Sequence, residues 1–581
     1  MSTPVRTAAH GSSAAPRRRR GPSRPADALV VTATLVGLVL SVAAARATRL
    51  EDMTDLGLAS VLPVTFWVGT ALVVIAFSVA VARSPVAEPL LALPTAVLAT
   101  VTFGVQALAT TVPRDHVAFR HVGVVDQLVT SGAPDAGIDV YFNWPAFFAL
   151  GAFVRESTGV DLLDVARWTP LLAHLALLLP LLLLMRSLLP DRRAAWVAVW
   201  VATLWDWVDQ DYFSPQTDDY GLHLVVLALV AGWLLTERRG LPAEPRPQRE
   251  RVSAYVVVLG LGLVLVPTHQ LTPVTTALCL VALVLLHRLR QWGLPLVLLV
   301  AVGVWLLTGA RTYSAGHDLL SVPDLTMLFD ANVGSRVGGG SGLHQLVVAE
   351  RMLMSAALWA LAAVGAWRSH RAGRSPLVHV ALALTPFVLL PLQAYGGEML
   401  LRVHLFALPG MAALAAWQLA PPSAGRLRAG LAVALVSLLA VPGLVVARYG
   451  TDRLEIFTRG EVAAVQALYD AVPPGGLLVA AAPQVPWRDH DYATYRYTTL
   501  VDLGSQTTSA EDVRTLLLDR LEATGSGGVV VVRTAYEAAE STGSLAPDEL
   551  ANAERWLASD PRFELVHGSS DGRVYVYVGE E

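Results

Sequence analysis

Runs of about 20 apolar residues recur through most of this chain, each long enough for a helix to cross the hydrocarbon core of a bilayer with its backbone hydrogen bonds satisfied internally. They lie near 27–46, 60–82, 88–111, 162–186, 194–208, 219–236, 252–268, 273–289, 294–309, 346–367, 376–393, 401–419 and 428–447. About thirteen membrane-spanning helices follow from windows of that length. With 54% hydrophobic residues, only 15% charged residues and a mean hydropathy of +0.51 over 581 residues, a soluble fold is excluded and a polytopic α-helical membrane protein is expected.

Arginine sets the expected orientation, because basic loops stay in the cytoplasm while acids contribute little to the choice. The chain has no lysine, so arginine alone carries the signal. With the N-terminus inside, the clusters Arg17 to Arg20, Arg192 and Arg193, Arg238 and Arg239, Arg288 and Arg290, Arg368 and Arg371, and Arg426 and Arg428 all fall on the inner side. That assignment requires that "YFNWPAFFALGAFV", Tyr141 to Val154, not cross the bilayer, so a re-entrant or surface-lying helix is expected there. The C-terminus then lies outside, in a multi-pass protein of the plasma membrane. Residues 1–25, rich in Ser, Pro and Arg, are expected to form a disordered cytoplasmic tail, and the first span reads as retained rather than cleaved. The single cysteine, Cys279, excludes both a disulfide framework and a thiolate metal site.

Residues 26–450 form the expected transmembrane region, with a long outer loop at 112–161. After Tyr449 the composition changes. Strand-length apolar runs begin at Gly476, Gly527, Phe563 and Arg573, and helical patterns begin at Arg459, Ser509 and Ala546. Strands alternating with helices predict an extracytoplasmic α/β domain over 451–581. Tryptophans such as Trp196, Trp200, Trp205 and Trp207 are expected at the membrane interface. "GGGSG", Gly338 to Gly342, lacks the preceding strand of a phosphate-cradling loop and reads as a linker. His174 and Gln106 read as packing groups within spans.

The stretch "WDWVDQDYFSPQTDDYGLH" holds Asp206, Asp209, Asp211, Asp218 and Asp219 between two apolar runs. Ionised groups near hydrocarbon are costly and usually face a watery cavity, a metal or a basic partner. Other outer segments carry a complementary chemistry: His269 and Gln270 in "PTHQLTP", Glu398 with Arg402 one helical turn on, and Arg311 with Arg336. Acids opposite Arg and His suit a substrate with a hydroxyl to deprotonate and a phosphate to hold. Arg402 is the first candidate for the phosphate, against the alternative of a simple i, i+4 salt bridge to Glu398.

The segments "HVGVVDQLVTSG" with "YFNWPAFFAL", "QDYFSPQ", "THQLTP" and "GGEMLLRVHLFALP" resemble those of the GT-C superfamily of polytopic glycosyltransferases, which use polyprenyl-phosphate sugars. The likeness is to a group of large actinobacterial members of uncertain substrate, over most of residues 100–500. It implies transfer of a sugar from a polyprenyl-phosphate donor to a glycan, lipid or protein acceptor of the cell envelope, with no nucleic-acid partner. It also implies a catalytic Asp in the first large outer loop. Asp115, Asp126 and Asp139 all qualify there, with His121 to orient the acceptor, although in this chain that loop follows the third span rather than the first. Asp211, Tyr212, Gln216 and Trp144 are placed in the pocket by the same resemblance. The "DQD" of Asp209 and Asp211 resembles a D-x-D that binds a divalent cation, Mg or Mn, in some members. A flippase or transporter of lipid-linked glycans, and a noncatalytic envelope-assembly protein, are the competing readings. Transporters, however, tend to show internal repeats and polar groups near the midplane.

Overall fold

The structure, a computed structural model, describes residues 24–316, 340–391, 397–421, 425–506, 510–542 and 547–579. The tail up to residue 23, Arg336, and Gly338 and Gly339 of the linker lie outside the described residues.

Helices occupy all thirteen apolar windows, from Arg24–Arg46 and Val64–Ala82 through Met399–Leu419 to Arg426–Tyr449. Among the described residues, seven helices are long and apolar enough to cross a membrane by length and composition. The protein is a mostly helical, multi-pass membrane protein followed by a mixed sheet. In lipid the helices cannot rely on the hydrophobic effect to hold one another, so small residues that let backbones approach closely do much of that work. Arg24–Arg46 crosses Val64–Ala82 where Gly37 and Gly69 face each other. A Cβ on either would stand 2.6 or 2.7 Å from the other's carbonyl oxygen.

The tryptophans depart from expectation. Trp196, Trp200 and Trp205 are buried in the helical core rather than standing at an interface. Trp200 stacks on Phe77 with ring centroids 3.9 Å apart and donates its Nε1–H to Ser437 Oγ at 2.8 Å, while Trp205 donates to the Met354 carbonyl at 2.8 Å. Each indole finds a partner across a helix contact, and this outweighs the general preference for headgroups.

Two features of the segment between Phe103 and Leu162 position the site. The helix His116–Ser131 opens on Asp115, whose side chain accepts from the Val117 N–H, and closes on Gly132 at φ 73°. Beyond it, a 3-10 turn Val140–Asn143 leads into the helix Ala146–Thr158. At 13 residues, or about 20 Å, this helix is too short to span, in keeping with the expected non-crossing segment.

After Tyr449 the chain builds a five-stranded sheet from β1 (Leu477–Ala480), β2 (Arg496–Thr499), β3 (Gly527–Val532), β4 (Phe563–Gly568) and β5 (Gly572–Tyr577), in the order β2-β1-β3-β5-β4. β1 runs parallel to β2 and β3, and β5 antiparallel to β3 and β4. β3, "GGVVVV", is buried throughout, which is why it reads as a continuous apolar run rather than an alternating one. The helix Arg459–Ala471 begins with a capping box between Thr458 and Glu461. β2, "RYTT", and the helix Arg533–Thr542 were not foreseen: one is short and polar, and the other follows directly on a strand.

Candidate functional site

Five segments far apart in sequence close around one cavity of ≈ 460 Å³. Val117 and His121 come from the helix His116–Ser131, and Val140, Tyr141 and Trp144 from the turn that follows it. Tyr212, Ser214, Pro215 and Gln216 start the helix Pro215–Leu229. Thr268, His269 and Gln270 end Gln248–Thr268, and Glu398 and Arg402 begin Met399–Leu419. The residues singled out at 121, 144, 212, 216, 269, 270, 398 and 402 therefore meet at one place.

Their hydrogen bonds fix what each can offer. His121 is buried, with Nδ1 2.7 Å from the Phe213 carbonyl, an acceptor. Nδ1 therefore carries the proton, and Nε2 presents a lone pair that finds no partner among the described residues. Burial pushes the imidazole down to about 3, so it stays neutral and accepts. His269 has the opposite tautomer: Nδ1 accepts from the Thr272 backbone N–H at 3.3 Å, leaving the proton on Nε2. Gln216 is buried with both amide atoms unpartnered, so it offers a donor and an acceptor together. Arg402 donates to Glu398 Oε2 at 2.9 Å and to Gln210 Oε1, which fixes the guanidinium at the cavity wall.

The three loop aspartates separate clearly. Asp126 is bound to Arg155 at 2.7 Å and does not line the cavity. Asp139 is buried, bonded by Arg120 and by the Tyr492 hydroxyl, and caps the 3-10 turn through the Tyr141 N–H at 3.0 Å. Burial alone would raise its carboxyl, but Arg120 and the Tyr492 hydroxyl hold it below the ordinary value. The oxygens of both are engaged by partners within the protein. Asp115 is not among the lining residues; it stands two residues ahead of Val117, which is, and close enough to Glu398 for their charges to interact. Its Oδ1 accepts from the Val117 N–H at 2.8 Å, while Oδ2 accepts from none of the described residues. Burial pushes its carboxyl up to about 7; the Val117 N–H and Arg114 oppose the shift, and Asp209 and Glu398 add to it. Its φ of 74° is a conformation few residues other than Gly, Asn and Asp adopt.

The aspartates after Trp205 are the main correction. Asp209 and Asp211 are not among the residues that line the cavity, where Asp211 was expected. Arg448 Nη2 donates to both oxygens of Asp211, each at 2.8 Å, and His174 Nδ1 lies 3.0 Å from Asp211 Oδ2. Asp209 pairs with Arg114, which also binds Asp452 at 2.6 Å and Glu455 at 2.5 Å, while Asp206 lies 3.2 Å from His174 Nε2. Among the described residues no cluster of three or more His, Cys, Asp or Glu is arranged to hold a metal. Arg311 is exposed at the start of Arg311–Gly316, away from the cavity. Sequence reasoning missed Arg114, Arg448, Asp452 and Glu455. Each is a single charge beside an apolar run, and only the fold shows that they belong together.

Cavity and charge lattice define a class: a multi-pass membrane protein with a polar chamber and a separate, largely buried cluster of ion pairs. No family model matches the chain, and no curated protein matches it. Among solved structures, the chain is similar to ArnT from Cupriavidus metallidurans, in the apo state (TM-score 0.48) and bound to undecaprenyl phosphate (TM-score 0.49). Each is 13% identical and covers 84% of this chain and 97% of that one. It is also similar to an Archaeoglobus fulgidus oligosaccharyltransferase tethered with an acceptor peptide, at 13% identity and TM-score 0.49, covering 80% of this chain and 71% of that one.

Proposed function

We propose that the protein is a membrane glycosyltransferase that moves a sugar from a polyprenyl-phosphate donor to a cell-envelope acceptor at the outer face of the membrane. The observation that carries this reading is the content of this cavity and its neighbourhood: a fixed guanidinium for a phosphate, neutral histidines of opposite tautomer, a glutamine whose donor and acceptor find no partner among the described residues, and the Asp115 carboxyl near Glu398, whose pKa lies near neutrality. A polyol needs donors and acceptors in alternation, and a lipid phosphate needs a cation at the membrane surface.

In this scheme Asp115, ionised, takes the proton from the acceptor hydroxyl as that oxygen bonds to the anomeric carbon. The bond from the anomeric carbon to the donor's phosphate oxygen breaks, and polyprenyl phosphate leaves with its charge held by Arg402. His121 Nε2 and Gln216 bind sugar hydroxyls. No step needs a bound metal.

The test is transfer from a synthetic polyprenyl-phosphate sugar by the purified full chain in proteoliposomes, assayed against an envelope extract. Labelled product that depends on protein and donor supports the reading. Movement of intact donor between leaflets without cleavage of the sugar–phosphate bond would replace it with transport.

A further inference from the structure

The terminal α/β region grips the cavity wall through one loop. Gly123, in the middle of the helix His116–Ser131, lies so close to residues 488 and 489 that a Cβ there would stand 1.7 Å from the Arg488 carbonyl oxygen. Only glycine permits that approach. Arg488 and Asp491 both have positive φ, 66° and 49°, so the loop backbone is bent to fit. The Arg488 N–H donates to Tyr469 Oη at 2.9 Å, and its guanidinium lies 4.6 Å from the Tyr497 ring centroid. From this platform Tyr492 reaches across: its hydroxyl accepts from Arg120 Nε at 3.0 Å and donates to Asp139. Asp139 in turn holds the turn that carries Tyr141, and Tyr141 packs edge-on against His121 at 4.4 Å. The hydrogen-bonded chain Tyr492, Asp139, Tyr141 thus ends on two cavity-lining side chains.

We infer that Tyr492 is a positioning residue for the cavity, and that the loop 487–492 sets where His121 and Tyr141 stand. Only the turnover part of this rests on the glycosyltransferase reading. The placement itself does not.

The test uses the full chain in nanodiscs and Tyr492→Phe, which keeps the ring and removes one hydroxyl. Losing a donor to a buried carboxylate should speed amide exchange at 140–143 by about tenfold, with strand 529–532 unchanged. The affinity for undecaprenyl phosphate, held elsewhere by Arg402, should stay within about twofold while transfer falls about tenfold. Gly123→Ala, which pushes the helix off the loop from the other side, should give the same pattern and decides the matter if Tyr492→Phe loosens β3 as well. Unchanged exchange at 140–143 in both variants overturns the inference, as does a fall in donor affinity matching the fall in transfer. If the wild type transfers no sugar, the functional reading fails while the exchange result still decides this one.

Discussion

Asp115→Asn separates stability from chemistry at one atom. Asparagine caps a helix as well as aspartate and tolerates positive φ, so the bond from the Val117 N–H and the backbone at φ 74° both survive. What changes is charge. In the folded protein the carboxyl keeps its proton up to about pH 7, whereas in the unfolded chain it ionises near 4. Between those values the folded state binds more protons, so the wild type loses stability as pH rises, by about 1.4 kcal/mol per unit, and the loss is complete above about 7. Over roughly three units this comes to roughly 4 kcal/mol, for a side chain only 18% exposed. Asparagine has no such term. Unfolding in detergent should therefore show the variant more stable than the wild type at pH 8 and similar to it at pH 4. Transfer should behave oppositely: wild-type activity rises with pH through an inflection near 7, and the variant loses about 10²–10⁴-fold with no inflection. A variant that turns over normally removes Asp115 from the role of base. One that is less stable at pH 8 shows that burial does not raise this carboxyl.

Three further outcomes are expected. Arg402→Ala should weaken binding of undecaprenyl phosphate by about 10- to 100-fold by calorimetry while leaving acceptor affinity nearly unchanged, since a charge-assisted bond contributes about 1.5–3 kcal/mol; equal loss for both ligands would tie Arg402 to the fold through Glu398 and Gln210 instead. Asp211→Asn should destabilise the protein by about 3–5 kcal/mol by leaving Arg448 buried without its carboxylate, and Asp211→Leu with Arg448→Met should recover much of that; an additive double variant would show that the pair is not coupled. Prolonged dialysis against a chelator should leave transfer intact, because arginines already neutralise Asp209 and Asp211, and restoration of a lost rate by Mg or Mn would reverse that conclusion.

The architecture was legible because its signal is long and repeated: an apolar window of membrane length means nearly the same thing wherever it occurs, and helices fill all thirteen. Eight site residues were legible for a different reason. His121, Gln216, His269 and Arg402 are polar groups at the ends of apolar runs, where they have few reasons to be other than function. The partners of the aspartates were not legible, because a single sequence shows a charge but not what it pairs with. Asp211 is 237 positions from Arg448, and Asp209 lies far from Arg114 in the chain. No local pattern links them. The same limit hid Tyr492, which acts on Asp139 across 353 positions.

The separation between paired and bare groups runs through the whole outer end of the molecule. Arg114 and Arg448 join the outer loop, the last long helix and the 206–211 segment into one buried lattice, and pulling any member out would leave a charge stranded in a low-dielectric floor. Such a floor resists displacement, and the chain that runs on from Asp211 into Tyr212 and Gln216 inherits its position. Preorganisation of this kind is what electrostatic catalysis requires: donors and acceptors must stand in place before charge develops, so that no reorganisation is needed when it does. Asp115 Oδ2, His121 Nε2 and the Gln216 amide find no partner among the described residues. Asp209 and Asp211 therefore hold the start of the wall that carries Tyr212 and Gln216 without entering the cavity, and Arg114 and Arg448 match their charge.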